Sequence, residues 1–328
     1  MVPDLLAIAP GHDVVVYPPM LVAAAAAARA CQVPHVSVQL TPLHRARSYG
    51  PLGGSLGSVV NGALWSLSGR MLRRATDAPL NSIVEAAGLV PWQGVLAEAS
   101  PSRLLDLVAV SPTIIEKDSA WPASSQVTGY LFLDEPDFVP GPDLAAFMEG
   151  EPPVVIGFGS MHGFDVDITT RAIVGAVRDL PRRVVLQSGW AGLGRTELPK
   201  HVHLARFVPH SWLLPRAACV VHHGGAGTTA AAFRAGIPQT FVWHFGDQPT
   251  WARRAKRQGV SAGSVRHDKL SGRWLRPRID RMLADEDMQV TARRLGEAIR
   301  KENGAASAAE KIERAVASGQ RLRGPATA

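Results

Sequence analysis

The chain has 328 residues, enough for about two domains of ordinary size, and 46% are hydrophobic, which excludes a disordered chain. Its net charge of +7 is uneven: residues 1–150 carry 8 Lys+Arg against 13 Asp+Glu, and residues 151–328 carry 27 against 15. A basic second half fits either an anionic ligand (nucleotide, nucleic acid or lipid) or an arginine-rich soluble surface.

No apolar run reaches the ~18–20 residues of a membrane span. The opening MVPDLLAIAPGHD lacks a basic start and a long apolar stretch, so no signal peptide is expected. Two cysteines, Cys31 and Cys219, sit in apolar contexts; a disulfide framework is not expected, and a reducing cytoplasm fits.

In chain order, Asp13–Pro19 reads as a buried strand, 20–34 as an alanine-rich helix ending near Pro34, and His35–Leu40 as a second strand. That rhythm argues for a parallel α/β sheet. Residues 41–67, rich in Gly and Ser and carrying Trp65, read as a long irregular loop. A helix around 81–87 and a strand over 104–112 follow. Leu133–Leu144 is dense in Pro and Asp and reads as a linker.

The rhythm then restarts. Strands are expected over 152–160, 182–189, 201–209, 217–223 and 239–243, with helices over 168–177, 228–236 and 249–259. Pro249 in the first turn and Gly259 at the end obey capping preferences. The carboxyl end is helical and charged, with AASAAEKIERAVA amphipathic. It could meet an anionic membrane or cross back to the first domain. In parallel sheets ligands sit beyond the carboxyl ends of strands. That points to the loops after Phe158, Ser188, Val208, His223 and Trp243.

The stretch VVHHGGAGTTAAAFRAGIP carries the most chemistry. An apolar strand ends in His222 and His223, then Gly224, Gly225 and Gly227 lead into a helix. Glycines let backbone approach closely, and free N–H groups at a helix start favour an anion. Thr228 and Thr229 add hydroxyls, and His223 can donate to a phosphate oxygen and partly neutralise it. The loop reads as a diphosphate cradle. A P-loop would need Gly-Lys-Ser/Thr, which is absent here. A dinucleotide loop at GFGSMHG has the wrong spacing, and the next strand ends without the acidic residue a ribose wants.

VVHHGGAGTTAAAFRAGIPQTFVWHFGDQPTWARR resembles the donor motif of GT-B fold nucleotide-sugar glycosyltransferases of family 1. The resemblance is to the bacterial sterol glucosyltransferase-like and macrolide or glycopeptide antibiotic group. VTGYLFLD, VVIGFGSM, VVLQSGWAGL and RFVPHSWLLPRAA match in order. The implied fold class is α/β, with two Rossmann-like parallel-sheet domains facing a cleft, the first incomplete. The implied divisions are a partial acceptor-side domain at 1–133, a linker at 134–152, a donor domain at 153–300, and a C-terminal helix and tail at 301–328.

Carried over by position, His223 and the N–H groups of Gly225, Ala226, Gly227 and Thr228 would hold the donor diphosphate, with Ser160 facing it. Trp190 and the backbone of Val208 would meet the base or ribose. Asp247 and Gln248 would bind sugar hydroxyls, accepting from and donating to a diol. Bland alternatives stand beside these: Trp190 and Trp212 as ordinary aromatics, His222 as a packed strand residue, His244 as a cleft lining, Asp247 as a helix cap.

The resemblance implies transfer of a hexose from a UDP- or dTDP-sugar to a hydroxyl of a lipophilic small molecule. It implies inversion, and no metal or other cofactor. The general base would come from a loop after the first strand, a segment not found here, so the catalytic residue is unassigned. GHD (Gly11 to Asp13) reads as a turn. A misplaced start, a true truncation, or a partner or second copy completing the first domain would each account for this. A non-catalytic donor-binding remnant is the alternative reading. Nucleic-acid binding would call for a basic stripe with interleaved aromatics, and the arginines are scattered instead.

Overall fold

All the described strand pairings are parallel, and they form two separate sheets. The computed structural model describes residues 1–51, 53–159, 161, 165–189, 192–194 and 197–318. The chain divides into unit 1, Met1–Leu131 with Glu302–Ala328, and unit 2, Phe132–Lys301.

Unit 1 begins with α1 (Val2–Ile8), β1 (Val15–Tyr17), α2 (Val22–Ala30), β2 (His35–Gln39) and α3 (Ser58–Ala86). It continues with α4 (Val95–Ala99), β3 (Leu105–Val108) and β4 (Ser125–Val127). Its sheet runs β1-β2-β3-β4. In α2 the run Ala23–Ala28 is buried throughout, since methyl side chains let neighbouring elements approach closely.

The long loop expected over 41–67 is a correction. It ends at Gly57, which takes φ +90°, and a 29-residue helix follows. Ser and Gly in 58–69 looked like breakers. However, Ser66 Oγ donates to Gly62 O (2.9 Å) and Ser68 Oγ to Trp65 O (3.0 Å), so the hydroxyls are satisfied within the helix. Pro79 lies inside α3 as well. The expected 81–87 helix is the tail of this one.

Two buried carboxylates pin the segment between β2 and α3. Asp106 on β3 accepts from Ser37 Oγ (2.5 Å), Gln39 Nε2 (2.8 Å) and His44 Nε2 (2.8 Å). Asp118 accepts from the backbone of Arg47 and Ser48 and from Ser48 Oγ.

Unit 2 contains α5 (Pro142–Met148), β5 (Val154–Gly157), α6 (Val166–Val177), β6 (Val184–Gln187), β7 (Val202–Ala205), α7 (His210–Leu213) and β8 (Cys219–His222). Then come α8 (Ala226–Ala235), β9 (Gln239–Trp243), α9 (Gln248–Arg257), β10 (Ser261–Arg266), α10 (Gly272–Ala284) and α11 (Glu286–Arg300). The segment read as a linker holds α5, whose Leu144 is buried in a unit 2 core cluster. α12 (Gly304–Ala317) returns to unit 1 and lays Ala308 and Ile312 against Val36, Leu105 and Leu107.

The central strands β5, β6 and β8 are buried and apolar over their first three positions because both sheet faces are covered. Val154, Ile156 and Leu186 pack with Ile173, Leu275 and Ile279 on one face. Val155, Val185 and Val220 pack with Leu213, Leu214 and Ala232 on the other. The order β10-β9-β8-β5-β6-β7 reverses direction between β8 and β5. At such a switch point the loops leaving two adjacent strands diverge and leave a crevice at their carboxyl ends.

Candidate functional site

β8 and β5 pair through Gly157 and His222, so the loops starting at Phe158 and His223 leave the sheet side by side at the switch point. Gly225 is the N-cap of α8, and Ala226, Gly227 and Thr228 form its first turn. The N–H groups of a first turn have no partner inside their own helix, and the positive end of the helix dipole lies there.

The His223 ring fills the space beneath this turn. A Cβ on Gly225 would lie 2.4 Å from its Nε2, and one on Gly159 would lie 3.2 Å from its Cε1. Only glycine at 225 leaves room for the ring in this place. Gly159 also needs glycine for its φ of +57°. His223 is 7% exposed, and its buried Nδ1 has no hydrogen-bond partner among the described residues. A buried imidazole with an unused nitrogen beside a free helix N-terminus is poised for an external oxygen.

His222 is a packed strand residue. Its Nδ1 accepts the Gly224 N–H (3.1 Å), which leaves the proton on Nε2 to donate to Gln239 Oε1 (3.0 Å). Thr229 is turned inward too: its hydroxyl donates to Gly225 O (2.9 Å), so of the two threonines only Thr228 is left half-exposed.

Burial holds His222 down to about 3 and His223 to about 4, from an ordinary 6.5; neighbouring imidazoles add to both effects. At neutral pH the free site therefore presents a neutral His223, a hydrogen-bond donor or acceptor and not a cation. The sign for stability follows. Unfolded imidazoles take up protons near 6.5, and these two resist until pH 3–4. Their stabilising contribution is whole above 6.5 and is lost as pH falls toward 4, by up to ~1.4 kcal/mol per pH unit for each. The melting temperature should fall between pH 7 and 4.5, with a shallower fall in His222→Asn. An equal fall in both proteins would refute the assignment.

Asp247 is half-buried, and its Oδ2 accepts from Trp251 Nε1 (2.8 Å), one turn into α9. It occupies the N-cap position without a side-chain cap bond. Gln248 is 4% exposed and turned inward. Its Oε1 accepts from the backbone of His244 (2.6 Å) and Phe245 (3.4 Å), and its Nε2 meets Met161 Sδ (3.4 Å). It shapes the turn that carries Asp247. Val208 is buried, and its carbonyl accepts from Gln187 Nε2 (3.0 Å). Ser160 and Trp190 lie outside the described residues.

One further residue, His267, was not read from the sequence. His267 stacks on His244 at 4.4 Å with the rings 3° from parallel, and Phe158 stands edge-on to His244 at 6.2 Å. His267 follows β10, whose SAGSVR run has little β-branched signal. Among the described residues, no group of three His, Cys, Asp or Glu is placed to hold a metal ion.

Parallel sheets, a switch-point crevice and a glycine-rich helix start define an α/β protein of the GT-B class. Among solved structures the fold is similar to that of the glycosyltransferase VinC in complex with dTDP: TM-score 0.70, 21% identity, 97% of this chain and 76% of that one. Residues 171–314 match the family described as Erythromycin biosynthesis protein CIII-like, C-terminal domain. O-mycaminosyltylonolide 6-deoxyallosyltransferase of Streptomyces fradiae is 38% identical over 245 residues, 72% of this chain and 56% of that protein. Sterol 3-beta-glucosyltransferase UGT80A2 of Arabidopsis thaliana is 39% identical over 201 residues, 60% of this chain and 31% of that protein. The chain has the GT-B fold and is similar to family-1 glycosyltransferases, and it spans about half or less of the length of these two relatives.

Proposed function

We propose that this chain moves a hexose from a UDP- or dTDP-sugar to a hydroxyl of a lipophilic small molecule, by direct displacement with inversion and without a metal. The observation that carries this reading is the His223 ring, with its unused Nδ1, beneath the first turn of α8. As the donor's anomeric bond breaks, negative charge grows on the leaving diphosphate. A positioned N–H cluster and an imidazole donor stabilise that charge more than they stabilise the ground state. Asp247, held by Trp251, would accept from sugar hydroxyls, and the backbone around Val208 and Gln187 would meet the base. The solved structure holding dTDP and the relatives named for deoxyallosyl and sterol glucosyl transfer support the donor class and a lipophilic acceptor. The general base is not assigned. Donor binding without transfer is the second reading, motivated by the partial span of the relatives.

The test uses the purified 328-residue chain with UDP-glucose or dTDP-glucose and a panel of flat lipophilic alcohols. Glycoside formation without added metal, with inverted configuration by NMR, is the expected result. Donor binding by calorimetry with no glycoside formed would favour the second reading. Absence of both would overturn both.

A further inference from the structure

We infer that the outer face of the first half of α3 is a docking surface for a lipid bilayer carrying anionic phospholipids. The inner face of this half is committed to the preceding loop. Asn61 Nδ2 donates to Arg47 O (2.8 Å) and Trp65 Nε1 to Tyr49 O (2.8 Å). The outer face bears Val60, Leu64, Leu67 and Met71, spaced four, three and four residues apart, so they form one stripe. Val59 flanks it. Val59 is 84% exposed, Leu67 52% and Met71 64%. Single exposed apolar residues are ordinary, whereas a contiguous stripe marks an interaction surface.

The shape and charge of the stripe select its partner. From Val59 to Met71 the helix rises about 18 Å. It is convex, so it cannot enclose a small molecule, which needs a concave site. Residues 1–150 are net acidic, yet residues 41–76 contain five arginines and no Asp or Glu. Arg70 and Arg74 are exposed, each three residues beyond Leu67 and Met71 and so on the same side of the helix. On the loop, Arg45 is exposed and reaches α3: a Cβ on Gly62 would lie 3.1 Å from its guanidinium. An apolar stripe with cations along its borders matches acyl chains lying beneath anionic headgroups. A second copy across a two-fold axis would set these arginines against their own equivalents, which opposes self-association.

The test is co-sedimentation of the full chain with vesicles of phosphatidylcholine alone, or of phosphatidylcholine with phosphatidylglycerol. The expected result is pelleting with the mixed vesicles and little with the neutral ones. Leu67→Gln/Met71→Gln leaves the charge unchanged and should weaken binding at least about tenfold. Arg70→Glu/Arg74→Glu should weaken it similarly. Arg294→Glu/Lys301→Glu, the same charge change on unit 2, should weaken it less than about threefold. UDP binding and the melting temperature confirm that each variant is folded. The inference is overturned if the wild-type chain pellets with neither vesicle, or if Leu67→Gln/Met71→Gln binds as wild type does. It is also overturned if sedimentation velocity shows self-association that this variant abolishes and no lipid binding occurs.

Discussion

Gly225→Ala is expected to weaken UDP or dTDP binding by roughly tenfold to a hundredfold, as measured by titration calorimetry. Its backbone, at φ −61° and ψ 146°, suits any residue, so the cost does not come from the chain. It comes from the methyl group, which would stand 2.4 Å from His223 Nε2. The ring must move, and the Gly159 backbone closes the other side. A displaced imidazole loses its hydrogen bond to a charged phosphate, a contact of about 1.5–3 kcal/mol. Gly227→Ala is the control. Nothing lies within 4 Å of a Cβ at that position, and alanine there should stabilise α8 by up to about 1 kcal/mol. Any affinity lost in Gly227→Ala then measures how closely the diphosphate approaches the turn, since the protein itself does not obstruct the methyl. If Gly225 acts through the ring, the double variant with His223→Ala binds no worse than His223→Ala alone. Additive losses would sink this explanation.

Much of unit 2 was legible because its elements follow local rules that agree with one another. Apolar runs of four or five residues alternate with helices whose caps are in the usual places, and Pro249 and Gly259 flank α9 as capping preferences ask. The strand-to-helix turn over 222–226 was legible because an apolar run that ends in glycines before a helix-forming run follows local rules. The unread parts depend on partners distant in sequence or on side-chain direction. α3 looked like a loop because Ser66 and Ser68 can break a helix or bond back to its own carbonyls, and composition does not say which. The Gln248 amide is turned toward His244 and Met161 by a fold in the chain that the motif does not encode. The 3° stacking of His244 and His267 joins residues 23 apart through the pairing of β9 with β10. Asp106 stood visible in the apolar run LLDLVAVSP, but the donors that hold it come from β2 and the loop after it.

Asp106→Ala is expected to destabilise unit 1 by about 3–5 kcal/mol, the usual loss when one member of a buried charged network is removed. The carboxylate is fully buried and is the common acceptor for Ser37, Gln39 and His44. Ser125 Oγ on β4 lies 3.1 Å from the same His44 nitrogen, and the His44 ring packs against Trp121 at 5.1 Å. One side chain thus ties β2, β3, β4 and the start of the loop leading to α3. Its deletion leaves three buried polar groups without their acceptor, and each then bears its desolvation cost. Burial alone would raise the Asp106 carboxyl above its ordinary 3.8, but the hydrogen bonds from His44, Ser37 and Gln39 outweigh it and hold the group below that value. The contribution is therefore present above pH 3.8 and fades as pH falls through the lower folded value. Asp106→Asn keeps the volume but puts an N–H₂ group where one of the two acceptor oxygens stood, so an intermediate loss of about 1–3 kcal/mol is expected. Hydrogen exchange with mass spectrometry reads the two units separately. Protection should fall in peptides from β2, β3 and β4 while peptides from β5 and β8 keep theirs, and UDP binding should persist. Unchanged exchange in β2–β4, or equal loss in both units, would show that this network does not hold unit 1 together.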